Sequence, residues 1–314
     1  MRLSTEWQRE AEQYNINAIL IPLGRYNGLH LFPVLQQFCQ SEAWPPVYLD
    51  EVAAVFVRRR PENEDLITRL RIQCATAPLP APVPHGDTTE AFNQWANAAA
   101  VLEALGRNAA AFDATAEALA IFSGSAFIHS LRGNLLAETG FLREAEREYM
   151  LSSSLEPNGT TWSSLGAIYH RQRRLMEEIN AWQHAGALLP YPAPELLALG
   201  YAELAARRPQ EALKAFDRAV ASLSPRLTAA RGNFFFANLA HGRAMAWSAL
   251  GDLQRAISFA EETVTMRPER SEDWLELAKL YDREQRFDDA QRARERAVAI
   301  NRELQTPSGP PQQH

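Results

Sequence analysis

Cysteine is almost absent. Cys39 and Cys74 are the only two in 314 residues, and with no short spacing between them they do not read as a zinc site. Two ordinary buried thiols are the expected reading, with a disulfide between them left open. Long apolar runs are missing as well. No stretch of about 18 apolar residues occurs, so no segment is expected to span a membrane, and Met1–Asn15 lacks the layout of a signal peptide. An excess of basic charge is also missing: 32 Lys and Arg stand against 38 Asp and Glu, a net charge of −6, which argues against a nucleic-acid-binding face. The seven histidines (His30, His85, His129, His170, His184, His241 and His314) are dispersed, with no metal-like i, i+4 pair, and no Gly-rich phosphate loop is present. Carboxylates are plentiful but fall on outward helix positions, where a solvated face is the default. No catalytic residue, metal or cofactor is therefore expected, and the function is expected to be binding rather than catalysis.

What the sequence has is a repeating frame. Trp162, Leu165 and Tyr169 lie at i, i+3 and i+7, one face of a helix. Gly166 sits on the packing side of that face, where a missing side chain lets a second helix approach. Leu175, Glu178, Trp182 and Ala185 continue at helical spacing, and Pro190 ends the second helix because proline cannot continue one. One unit is helix, turn, helix, stop, and such a pair must stack on neighbours to bury its apolar face.

These residues resemble the tetratricopeptide repeat, whose period is about 34 residues. The unit departs from that pattern in carrying Glu178 where the family has Ala. Five further units fit the same register. Phe92–Ser125 supplies Trp95, Ala98, Ala99, Leu102, Ala111 and Ala118. Ala126–Gly159 supplies Gly133, Leu136, Ala145, Tyr149 and Pro157, with Arg132 breaking an apolar place. Ala193–Arg226 supplies Leu196, Leu199, Gly200, Ala212, Phe216 and Ala219. Ala237–Arg270 supplies Ala244, Trp247, Ala256 and Pro268, and Ser271–Leu304 supplies Trp274, Leu277, Ala278, Tyr281, Ala290 and Ala297. Between the fourth and fifth units Leu227–Phe236 breaks the period. It is expected to lengthen the next helix backwards, and Phe234, Phe235 and Phe236 cannot all face one side of it. Asn158-Gly159-Thr160 matches a glycosylation sequon, but its expected role is the turn between two units.

Ahead of the repeats the chain reads α-β-α-β-β: a helix over Leu3–Tyr14 with Ser4 or Thr5 as cap, a buried strand over Ile16–Leu23, and a helix over Leu29–Gln40. Pro46–Leu49 and Val52–Arg58 then read as a hairpin turning at Asp50-Glu51. Arg58-Arg59-Arg60 is read as a solvated strand end, being too short for a lipid-headgroup patch. Glu62–Cys74 is expected to be helical. Ala77–His85 is proline-rich and should be extended and stiff, and Asp87 offers a cap for the first repeat helix. The expected organisation is a small α/β unit over 1–76, a linker over 77–90, a mainly α solenoid of about six units over 91–304, and a disordered Pro/Gln-rich tail over 305–314.

Parts of the first unit, Tyr14–Ile21 and Trp44–Arg59, are similar to the soluble region behind the last membrane helix of bacterial GT-C-type glycosyltransferases, some of which carry tetratricopeptide repeats. That resemblance implies tethering to a membrane domain upstream. It carries over no catalytic residue, because the carboxylates of such enzymes lie in loops absent here.

The repeat resemblance implies a right-handed superhelix whose first helices line a concave groove for a protein or peptide partner. Mapped onto this chain, the groove places are Phe127, Ser130, Asn134 and Glu138, then Ser163, His170 and Arg171, then Leu197 and Tyr201, and finally Asn238, His241, Met245, Lys279 and Arg283. The set is mixed polar with a few aromatics, which suits an extended peptide. Asn134 matches one place of the family's carboxylate clamp for chaperone tails, but the corresponding lysines do not appear, so chaperone-tail binding is not expected. A soluble accessory domain of a membrane glycosyltransferase is the alternative function. A self-associating solenoid, its groove filled by the tail Thr306–His314 of a neighbour, is a third.

Overall fold

The computed structural model describes residues 5–23, 32–79, 87–224 and 233–305. Among these it contains fifteen α-helices and three strands. The chain divides into two compact units, Met1–Pro157 and Asn158–His314.

The first unit begins with α1 (Thr5–Gln13), β1 (Ala18–Pro22), α2 (Phe32–Cys39), β2 (Pro46–Leu49) and β3 (Ala53–Val57), followed by a short 3₁₀ turn and α3 (Glu64–Leu70). The expected hairpin is present. Asp50 Oδ1 accepts from the amides of Val52 and Ala53 at 2.8 and 2.7 Å and closes the turn. The sheet is antiparallel in the order β1-β3-β2. Two expectations are corrected here. Ile16–Leu23 does not become a buried strand: β1 is an edge, so Ile21 is buried while Leu20 is 64% exposed. The helix expected to reach Cys74 stops at Leu70, because the following backbone is used elsewhere: Ile72 donates to the Pro46 carbonyl at 3.0 Å, and Cys74 is joined to Cys39 by a disulfide. The thiols expected to be free are thus paired, which a separation of 35 residues did not reveal.

On the inner face of the sheet Phe56 packs against Phe38, which meets Trp7 and Trp44 edge-on within the same core. The three arginines close the strand end. Arg58 reaches the Ala11 carbonyl and Glu12, Arg59 reaches the Glu42 carbonyl, and Arg60 reaches Asn15. The α/β part also packs on the first repeat helix, α4 (Thr88–Ala104). Val101 and Ala104 complete its core. The carbonyl of Ala104, one of the groups a helix end leaves without an intrahelical donor, accepts from Gln36 Nε2 at 2.5 Å. Arg107 donates to the Ala77 carbonyl at 2.6 Å. Of the proline-rich stretch, 80–86 lies outside the described residues.

The repeat helices follow in pairs. In the first unit these are α4 with α5 (Asn108–Ile121) and α6 (Ala126–Glu138) with α7 (Leu142–Leu155). In the second they are α8 (Gly159–Arg171) with α9 (Leu175–Leu188), α10 (Ala193–Ala205) with α11 (Pro209–Ala221), α12 (Asn233–Leu250) with α13 (Leu253–Met266), and α14 (Ser271–Arg283) with α15 (Phe287–Gln305). Asp87 caps α4, and Asn158 caps α8 by accepting from Thr160 at 2.8 Å, as the turn reading of that sequon requires.

Two features repeat with the period. First, every pair turns on one left-handed residue: Gly106, Gly140, Arg173, Arg207, Gly251 and Gln285. In each case the next amide reaches back to the carbonyl five residues before it, as in Arg107 to Leu102 and Arg286 to Tyr281, both at 2.8 Å. This closure satisfies the last carbonyls of the helix. Second, Gly133, Gly166 and Gly200 each lie flat against the aromatic residue sixteen places later, Tyr149, Trp182 and Phe216. Where the first place is Ala99, Ala244 or Ala278, the later one is Thr115, Ala260 or Arg294. An aromatic ring is accommodated where the facing Cβ is missing.

The two departures from the pattern are each compensated. Arg132 stacks on Phe112 at 4.3 Å and pairs with Glu148, which also takes His129 Nδ1 at 2.7 Å. Glu178, buried where the family has Ala, accepts from His170 Nδ1 at 2.9 Å and from Trp182 Nε1 at 3.4 Å. Helix α12 spans 18 residues against 13 for α10, the expected backward extension. Phe235 and Phe236 pack into the core, and Phe234 is 73% exposed.

Candidate functional site

In the first unit the mapped groove residues lie on α6. Phe127 packs beside Phe92 and Ile128, and Ser130 is half-buried. Asn134 is a tie within the fold: its amide donates to Glu103 at 3.1 Å and its oxygen accepts from the Tyr149 hydroxyl at 2.7 Å. Glu138 is exposed and accepts from Asn108 at 2.9 Å. Burial pushes the Glu103 carboxyl up to about 7; the Asn134 donor opposes this and the nearby Glu138 charge adds to it.

In the second unit Ser163 donates to Glu195 at 2.8 Å, and the exposed His170 ring is held by Glu178. Arg171 is exposed, and Leu197 packs into the core beside Tyr201. Tyr201 is fastened to α12. Its hydroxyl donates to the Asn238 carbonyl at 2.6 Å and lies 3.1 Å from His241 Nδ1, and its ring meets Phe216 edge-on. Burial pushes this phenol up to about 12. The Asn238 side chain accepts from Arg267 at 2.8 Å, and Arg267 forms a buried ion pair with Asp273 at 3.0 Å. Burial raises the Asp273 carboxyl against the pull of Arg267, and burial lowers the His241 imidazole.

Beside this polar core is a cleft of about 350 Å³, lined by His241, Met245 and Ser248 of α12, Thr263 of α13, Arg270, and Glu272, Asp273, Glu276 and Leu280 of α14. Met245 is 45% exposed within it. Lys279 and Arg283 hold the rim, Lys279 on Glu276 at 2.6 Å and Arg283 on Ser248 at 2.5 Å. Of the mapped places in the later repeats, His241 and Met245 therefore line a cleft, Lys279 and Arg283 brace it, and Asn238 supports it from behind. Sequence reasoning missed Arg267, Asp273 and Glu276. A signal was available: Asp273 occupies the place where other repeats bury Ile128, Thr161 and Leu239, and a carboxylate there needs a buried partner. Among the described residues no group of His, Cys, Asp and Glu could hold a metal ion, and no helix is long and apolar enough to cross a membrane.

No protein-family model matches the chain, and no curated protein matches it in sequence. Solved structures do. MamA superposes with a TM-score of 0.52 at 19% identity, covering 60% of this chain and 100% of that one. YrrB, a tetratricopeptide-repeat protein with an unusual peptide-binding site, gives 0.52 at 18% identity over 61% of this chain and 94% of its own. The fold is that of the tetratricopeptide repeat. PilF of Pseudomonas aeruginosa gives 0.51 at 18% identity over 69% of this chain and 91% of that one. At these identities the matches show the repeat fold alone, and the resemblance of the first unit to GT-C-type membrane proteins gains nothing from them.

Proposed function

We propose that this chain is a protein-interaction scaffold that binds an extended peptide segment of a partner along the first helices of its repeats. The α/β part, 1–76, would be joined through 77–90 to the array over 91–304. The observation that carries the reading is the cleft beside α12 and α14. It gathers an exposed methionine, a histidine, an arginine and several carboxylates from successive helices onto one solvent-open surface. An exposed, flexible thioether among fixed polar groups suits side-chain recognition rather than chemistry. YrrB, a tetratricopeptide-repeat protein with a peptide-binding site, shares the fold. The proposal is a non-enzymatic one.

The test is selection of peptides from a displayed random library on the full chain, followed by affinity measurement on Met245→Arg and Glu276→Lys. Both positions are solvent-facing, so the fold should tolerate the changes. Affinity is expected to fall by about tenfold or more, the loss of one good contact. Equal affinity of wild type and both variants for every selected peptide would show that this cleft is not the binding surface.

A further inference from the structure

The disulfide joins two places 35 residues apart in the sequence. Cys39 ends α2, and Cys74 lies in the segment that follows α3. That segment is poorly anchored otherwise. Arg71, Gln73, Ala75 and Thr76 are exposed, and only Cys74 and Ala77 are buried, both in the core completed by Val101 and Ala104 of α4. Its backbone makes one bond to the sheet, Ile72 to Pro46. Ala77 then accepts from Arg107 just beyond α4. The α/β part meets the first repeat through α2, where Gln36 reaches Ala104, and through this segment; the disulfide lies within the α/β part and ties the segment to α2.

The bond is also reachable. Both cysteines line a cleft of about 440 Å³ bounded by Gln36, Gln40, Arg71 and Gly106. Cys39 is partly exposed, whereas Cys74 is 6% exposed. An incoming thiolate would thus meet the Cys39 sulfur first, and access of this kind is what separates labile disulfides from inert ones.

We propose that Cys39–Cys74 is a redox-sensitive clamp that ties the segment 71–77 to α2 and so keeps it packed against the first repeat helix. A dithiol reductant supplies the two electrons. Its first thiolate attacks Cys39 Sγ, breaking the Cys39–Cys74 bond and releasing Cys74 as a thiolate, which takes a proton. The second thiol of the reductant, on deprotonation, displaces Cys39 from the mixed disulfide. The reductant leaves as a disulfide, and Cys39 is protonated. Reduction frees the segment, while the repeats beyond α4, whose packed clusters include neither cysteine, stay folded. The oxidised form belongs to an oxidising compartment, where such bonds persist.

The experiment is amide hydrogen exchange on the full chain before and after treatment with dithiothreitol under native conditions, with thiols counted in parallel. The oxidised protein should show no free thiol when denatured and the treated protein two. Exchange at Ile72 and Ala77 should quicken by about tenfold or more on reduction, with the Tyr149 amide of α7 unchanged, as a local opening requires. The double variant Cys39→Ser/Cys74→Ser should exchange like the reduced protein. Two free thiols in the untreated protein, unchanged exchange at Ile72 and Ala77 after full reduction, or equal acceleration at Tyr149 would each overturn the proposal. Where the double variant does not fold, the reduced wild type carries the test.

Discussion

Gly200→Ala tests the glycine–aromatic interlock directly. In a helix with open space above the residue, this change stabilises by about 1 kcal/mol, because alanine loses less backbone entropy. Here an added Cβ would fall 2.5 Å from Phe216 Cδ1 and 2.7 Å from its Cζ. The fully buried ring cannot step away, since a Cβ on Gly242 would also lie 2.5 Å from Phe216 Cζ, so the backbone of α12 closes its other side. Overpacking of this kind costs about 1–3 kcal/mol. The steric cost outweighs the propensity gain, and the net change should be a destabilisation of about 1 kcal/mol. Phe216→Leu removes the obstruction at a cost of its own. In that background Gly200→Ala should turn neutral or stabilising, giving a coupling of about 1–2 kcal/mol in the double-mutant cycle. Denaturant unfolding followed by circular dichroism of the four proteins measures it. If Gly200→Ala stabilises the wild type as an open helical glycine would, with no coupling to residue 216, the reasoning is refuted.

Other perturbations test other parts of the structure. Glu103 has its carboxyl raised from 4.5 to about 7 by burial, so the folded state binds its proton more tightly than the unfolded state. Stability should fall as pH rises from about 4.5 towards about 7 and then level off, by at most about 3 kcal/mol; Glu103→Gln should abolish that slope in pH-dependent unfolding. Asp273→Ala leaves Arg267 buried without its partner and should cost about 3–5 kcal/mol, whereas Arg267→Met with Asp273→Leu should recover most of it; a single variant costing under about 1 kcal/mol in thermal unfolding would contradict the pair's burial. Arg207 holds a left-handed backbone (φ 60) where three other repeats use glycine. Arg207→Gly should therefore be neutral or stabilise by up to about 1 kcal/mol, while Gly251→Val at the same place of its repeat should destabilise by more.

Much of the architecture was legible because each repeat is a local object. Trp162, Leu165, Gly166 and Tyr169 specify a helix face by spacing alone, Pro190 marks the end of that unit's second helix, and Asp87 marks the start of the first repeat helix. Six copies in register leave little freedom for the chain. The left-handed turn residue was readable as Gly106, Gly140 and Gly251, but not as Arg173, Arg207 and Gln285, where the closing hydrogen bonds impose the conformation on side chains that disfavour it. The mapped groove was legible only in part. Fold geometry allowed places such as Asn134 and Tyr201 to be read as groove positions, yet their polar atoms are spent on Glu103, Tyr149, Asn238 and His241.

What the sequence determined by itself is the set of interactions within one period: the helix faces, their stops, the small residue that meets each aromatic ring. These act between residues close along the chain, so spacing encodes them. What only the tertiary structure decided are the meetings of distant residues. Cys39 found Cys74, Gln36 found the end of α4, and Arg267, Asp273 and Tyr201 closed one buried polar network beside the cleft. Such contacts depend on how successive pairs stack, and stacking is set by packing of whole surfaces, which no single spacing records.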